Sequence, residues 1–304
     1  MSAVITKMIM LVSLMFIGYL CSKIHVTGPA FNKNASSVMM NVFLSATILS
    51  SVVNVEPTMS NREIYTIVAL FFVMMIVIWA IAWAAVRLLR IPREEAGVML
   101  CLITYMNTAF VGFPIVETMY GQEAVFYASL SGIPFNIMLY SVGTITLCGD
   151  GTGEKISIRK MITVPLVVTL IGAVIFTLRI PFPQVVEDII DTLAGATIPM
   201  SMIIIGTSLG AVSIKDAVTD WRIYVISLIR LIVCPIVVYY LLSLFMSNPT
   251  IVGIITIEAA TPAAMVLTVL CLQYDRDDSL ASKGIFISTV FSMVTIPFII
   301  WLLL

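Results

Sequence analysis

The side chains of this 304-residue chain that can do chemistry lie inside strongly apolar sequence. The first group is Asn107-Thr108-Ala109-Phe110-Val111-Gly112-Phe113-Pro114-Ile115, which interrupts an apolar stretch near its middle. A helix broken in hydrocarbon frees N–H and C=O groups that lipid cannot satisfy, so a break persists only where protein or a wet cavity supplies partners. Such a break marks a candidate binding site. Proline suits a first helical position because its missing N–H is unneeded there, so Pro114 and, further on, Pro262 would each begin a new half-helix. Helix N-termini carry unpaired N–H groups and roughly half a positive charge each. Two of them converging would attract an anion. The Asn107 amide can both donate and accept hydrogen bonds, and would orient a carboxylate or satisfy carbonyls of the half-helix before the break. Thr108 and Thr261 stand at the two interruptions with Gly112, and their hydroxyls, with those of Ser288 and Thr289 in the last apolar segment, would complete an anion or cation site or bond local backbone.

The second group is a pair of charges. Arg230 is a cation well inside an apolar segment and Glu258, four residues before Pro262, is its natural counter-charge. Charges in a bilayer are costly enough to be functional suspects. At 1.5 Å per residue Arg230 sits about 13 Å above the cytoplasmic face and Glu258 about 18 Å above it in a core of roughly 30 Å. The two depths suit either a structural ion pair or a coupling role. For Glu258 as a proton carrier, burial raises the carboxyl pKa while a neighbouring Arg lowers it. Glu117, near the outer end of its segment, reads as a vestibule or interface residue. The 19 methionines and the Trp79/Trp83 pair read as packing.

The elements that must position these residues follow from composition. With 60% hydrophobic and 11% charged residues the chain is an integral membrane protein, all-α. A net charge of −1 without a basic face argues against nucleic acid. Five scattered cysteines without CxxC spacing and a lone His25 support neither disulfides nor a metal site. The apolar run from Met8 to Cys21 reads as a membrane helix, not a cleaved leader. Punctuation gives ten spanning segments near 5–22, 36–54, 63–88, 95–120, 124–148, 160–178, 188–211, 221–246, 250–273 and 283–303. Twelve Lys and Arg fall on one side of that arrangement and three on the other, which places both termini outside the cytoplasm of a multi-pass protein. The chain also repeats itself. Gly18 to Pro114 is 96 residues and Gly172 to Pro262 is 90, so two five-helix halves, 1–148 and 160–304, would flank a cytoplasmic linker at 149–159. Five is odd, so the halves would be inverted, a transporter architecture.

These residues in this order resemble the auxin efflux carrier family of permeases, which includes plant auxin carriers and bacterial carriers of small organic acids. The resemblance runs through Ile17-Gly18-Tyr19-Leu20, Asn107-Thr108, Gly112-Phe113-Pro114-Ile115, Tyr120-Gly121-Gln122-Glu123-Ala124 and Asn136. It continues through Pro165, Gly172, Ile198-Pro199, Gly206, Arg230 with Pro235, Ala260-Thr261-Pro262, Tyr274-Asp275, Ser288-Thr289 and Thr295-Ile296-Pro297. It implies a ten-helix inverted repeat with crossed, proline-broken helices four and nine, a fold shared with bile-acid sodium symporters. A mobile transport domain of helices three to five and eight to ten would slide on a scaffold of helices one, two, six and seven, in a homodimer of the cell membrane. It also implies that Asn107 and Asn136 are substrate residues. The chain departs from the family where many relatives have a proline in the second helix and this sequence has Ser45, which removes the proline reason for a kink there. The long central loop of some plant carriers is absent too.

The expected function is secondary transport of a small organic anion, with no cofactor and with H⁺ or Na⁺ as possible coupling ions. A sodium-coupled bile-acid-type symporter is the alternative; that family usually gathers acidic and polar Na⁺ ligands round its crossings, whereas here only Glu258 is a clear candidate. An intramembrane aspartyl protease is a distant third. Gly149-Asp150 and Tyr274-Asp275 echo its GxGD and YD signatures, but in the wrong order and with Leu147 where Gly is needed. Paired aspartates must share one cavity, and these two fall at helix ends.

Overall fold

The computed structural model describes residues 2–53, 61–148, 162–211 and 220–304. The linker expected at 149–159, Asp150 of the protease signature, and Lys155, Arg159, Lys160 and Lys215 of the charge count lie outside the described residues. What is described is helical, apart from turns, caps and an isolated β-bridge. Among the described residues six helices are long and apolar enough to cross a bilayer: Pro29–Val53, Glu63–Leu88, Glu123–Leu147, Gln184–Ala211, Trp221–Phe245 and Asp278–Leu303. Ile9–Lys23, Val164–Leu178 and Pro249–Ala259 are shorter apolar helices.

The chain divides into two compact units. The first comprises Met1–Val68, Ala109–Gly132 and Ile162–Ala211. Its spine is helix α1 (Ser2–Lys23) lying along Thr197–Ala211. The two backbones touch at glycine: a Cβ on Gly206 would stand 1.9 Å from the Met15 carbonyl oxygen, and one on Gly18 would stand 2.3 Å from that of Ile203. Small residues permit this approach, and in lipid such van der Waals packing drives helix association. Leu44–Val53 packs on Val164–Leu178 and Gln184–Ala194. That seam is polar. The Thr47 and Thr197 hydroxyls lie 2.7 Å apart, and Ser50 donates to Asp191 while accepting from the Gln122 amide.

The second unit comprises Ala69–Thr108, Ile133–Met161 and Val212–Leu304. Here Arg93–Thr104 packs on Asp278–Leu303 and on Trp221–Leu228. Arg222 pairs with Glu95 at 3.0 Å at one end of the latter contact.

Among the described residues four helices contain a widened π-turn, at Met39–Phe43, Thr108–Gly112, Leu139–Gly143 and Ile229–Val233. Such turns recur at functional sites. Two of them have a plain cause. Pro114 and Pro235 are the second residues of the helices Phe113–Tyr120 and Cys234–Phe245 that follow. A proline ring clashes with the carbonyl four residues back, here Phe110 and Leu231, and both belong to the widened turns. The looser turn removes the clash and spares the missing N–H. Ser45 holds the same register, second in Leu44–Val53, and the turn before it is widened although no proline demands it. The Leu44 N–H reaches five residues back to the Met39 carbonyl.

Candidate functional site

The helix Arg93–Thr104 stops at Tyr105, whose backbone turns extended (φ −94°, ψ 121°). Helical geometry resumes at Thr108 and runs through the widened turn into Phe113–Tyr120. The break is therefore Tyr105–Asn107, at the leading edge of the 107–115 interruption that the sequence suggested, and the new helical stretch begins at Thr108 instead of at Pro114. The reason is the π-turn, which accommodates Pro114 inside a continuing helix. In the later segment Pro249–Ala259 ends, and the chain re-enters a helix at Val266 with Met265 as its N-cap. Pro262 thus lies in the extended link and is not a first helical residue.

The two links pair with each other. Met106 and Ala263 form an antiparallel bridge, in which the Asn107 N–H donates to the Pro262 carbonyl at 2.8 Å and the Ala264 N–H donates to the Tyr105 carbonyl at 2.9 Å. This is how the second unit satisfies backbone groups that a broken helix leaves over in an apolar interior. Side chains complete the pairing. The Ala263 N–H donates to Ser288 Oγ at 3.2 Å, and Thr261 Oγ1 donates to the Glu258 carbonyl at 2.8 Å. Tyr105 reaches out through its hydroxyl to the Met138 carbonyl at 2.9 Å, and Gly143 makes room for its ring, since a Cβ there would meet the hydroxyl at 2.6 Å.

Arg230 sits in the π-turn Ile229–Val233 with 1% of its surface exposed. Its Nη1 donates to the Ala259 carbonyl at 2.7 Å. A guanidinium at that place offsets the negative end of Pro249–Ala259. Glu258, wholly buried, is the adjacent residue. The bond made by Arg230 thus goes to the main chain beside Glu258, and its Nε and Nη2 have no hydrogen-bond partner among the described residues.

Most of the residues singled out from sequence are gathered in the second unit, all buried: Asn107, Thr108, Asn136, Arg230, Glu258, Thr261, Pro262, Ser288 and Thr289. Of these, Asn107, Thr261, Pro262 and Ser288 belong directly to the paired links. Thr289 bonds the Ile285 carbonyl within its own helix, and Asn136 lies in Gly132–Met138, just before the turn Leu139–Gly143. Gly112, Pro114 and half-buried Glu117 belong to the first unit. Tyr105 was missed by sequence reasoning, because its part is played mainly by a backbone carbonyl. Among the described residues no group of three or more His, Cys, Asp or Glu is placed to hold a metal ion.

A family described as "membrane transport protein" matches residues 3–163 and 154–300. An uncharacterized transporter of Methanothermobacter thermautotrophicus is 25% identical over 289 residues, 93% of either chain. Another, of Methanocaldococcus jannaschii, is 25% identical over 300 residues, 96% of either chain. A helical, multi-pass architecture and a family match spanning nearly the whole length converge on one conclusion: the chain belongs to the membrane transport protein family of auxin-efflux-carrier type.

Proposed function

We propose that the chain is a secondary carrier of a small organic anion, a carboxylate, dicarboxylate or auxin-like acid, bound where the two interrupted segments pair. The observation that carries this reading is the pairing of Tyr105–Asn107 with Pro262–Ala264. Each link is followed by a new helix, starting at Thr108 and at Val266, whose first N–H groups and positive end favour an anion. Asn107, Thr108, Asn136, Thr261 and Pro262, all of the second unit, are the residues proposed to contribute.

The mechanism we propose is elevator-type alternating access, in which helices three to five and eight to ten of a ten-helix inverted repeat carry the site past a scaffold of helices one, two, six and seven. The protein would act as a homodimer in the cell membrane with both termini outside the cytoplasm, and H⁺ or Na⁺ would couple transport.

The test is uptake of labelled organic acids into proteoliposomes by Asn107→Ala. Transport is abolished while the amount of inserted protein is unchanged; undiminished transport would refute the site.

A further inference from the structure

Arg230 uses one of its hydrogen-bonding groups and leaves a particular pair over. With Nη1 committed to the Ala259 carbonyl, the remaining Nε–H and Nη2–H point the same way, along one edge of the planar guanidinium. That edge is buried in a residue 1% exposed, and neither nitrogen has a hydrogen-bond partner among the described residues. The Cys234 thiol, one turn on in the same helix, lies beside the guanidinium. A thiol is a weak acceptor and leaves a full charge poorly compensated.

A planar pair of donors on a buried cation matches one chemistry closely: the two oxygens of a carboxylate in fork geometry. Position argues for the same ligand. Ala259 is three residues from Pro262, so the anchor of Arg230 lies at most about 11 Å along the chain from the carbonyl that Asn107 bonds. The arginine also stands in one of the four widened turns.

We infer that the Nε–Nη2 edge of Arg230 is a carboxylate receptor of the second unit, taking both oxygens of one carboxylate of the transported anion while Nη1 stays bonded to Ala259. This rests on the proposed anion site and names the residue that sets its preference for a planar carboxylate. A lysine would keep the charge and could still cap the Ala259 carbonyl, but it offers a point charge in place of the fork.

The experiment uses the full chain in lipid nanodiscs. The probes are a panel of carboxylates (acetate, succinate, indole-3-acetate), the matching sulfonates, and chloride, with binding read by thermal shift and by equilibrium titration. Wild type should bind at least one carboxylate more tightly than its sulfonate counterpart. Arg230→Lys should remain folded, bind that carboxylate at least about tenfold more weakly, and change sulfonate and chloride binding by less than about threefold. That shift in selectivity is one a merely structural arginine would not produce. Arg230→Gln should lose all of these anions, and if it fails to insert, the lysine variant decides. If Arg230→Lys binds the carboxylate like wild type while Asn107→Ala does not, the receptor role falls and the site at the paired links survives. The reverse pattern keeps the receptor and removes Asn107 from the site. Absence of carboxylate binding by wild type overturns both.

Discussion

Ser288 and Thr289 are neighbours on one helix, both buried, at 2% and 3% exposure, and they should behave oppositely when their hydroxyls are removed. Ser288 Oγ accepts the Ala263 N–H, a donor belonging to the interrupted segment and inside a residue 1% exposed. Thr289 Oγ1 donates to the Ile285 carbonyl of its own helix. In Ser288→Ala the Ala263 donor loses its acceptor, and an orphaned buried donor costs about 1–3 kcal/mol. Side-chain hydrogen bonds in membrane bundles run lower, about 0.6 kcal/mol on average and 1.7 at most. Because a non-helical N–H has no intrahelical alternative, the upper part of that range applies, about 1–1.7 kcal/mol. At about 2.1 cal/mol/K of unfolding entropy per residue, a chain of 304 residues shifts by roughly 1.6 °C per kcal/mol, so the melting temperature should fall by roughly 2–3 °C. In Thr289→Val the shape is kept and a carbonyl in a continuous helix loses only a supplementary bond, so the change should stay within about 0.5 kcal/mol. The assays are intrinsic-fluorescence melting in detergent and amide hydrogen exchange over 260–266, which should accelerate in Ser288→Ala alone. Equal losses in the two variants, or exchange unchanged in Ser288→Ala, would refute the account of how the link is held.

Two further outcomes follow from packing. Gly206→Ala places a methyl 1.9 Å from the Met15 carbonyl oxygen and 2.7 Å from the Tyr19 nitrogen, both rigid main chain, so α1 must move away. The cost should reach about 3 kcal/mol, at the upper end for overpacking, and unfolding temperature or expression yield will report it; a neutral variant would contradict the contact. Ser45→Pro should be tolerated, since the turn before it is already widened in the way that accompanies Pro114 and Pro235. Its stability should stay within about 1 kcal/mol of wild type by melting, against the loss of about 3 or more expected for proline in a regular helix interior.

How much of this was legible in the sequence differs residue by residue. That the run after Asn107 is interrupted could be read from Gly112 and Pro114, but the position could not. Proline acts on the carbonyl four residues back, and the π-turn absorbs that action and leaves the true break at Tyr105–Asn107. The interruption at 259–263 followed from spacing, and the helix does end at Ala259. That Arg230 is buried was foreseeable from its apolar surroundings. Its contact was not, because a main-chain carbonyl such as that of Ala259 has no residue type to betray it. The widened turn before Ser45 had no proline to announce it.

The bridge between Met106 and Ala263 is written entirely in main-chain atoms. Such a joint is indifferent to what the side chains are, so long as they fit. The side chains around the two links can therefore be exchanged without renegotiating the joint that holds the links together.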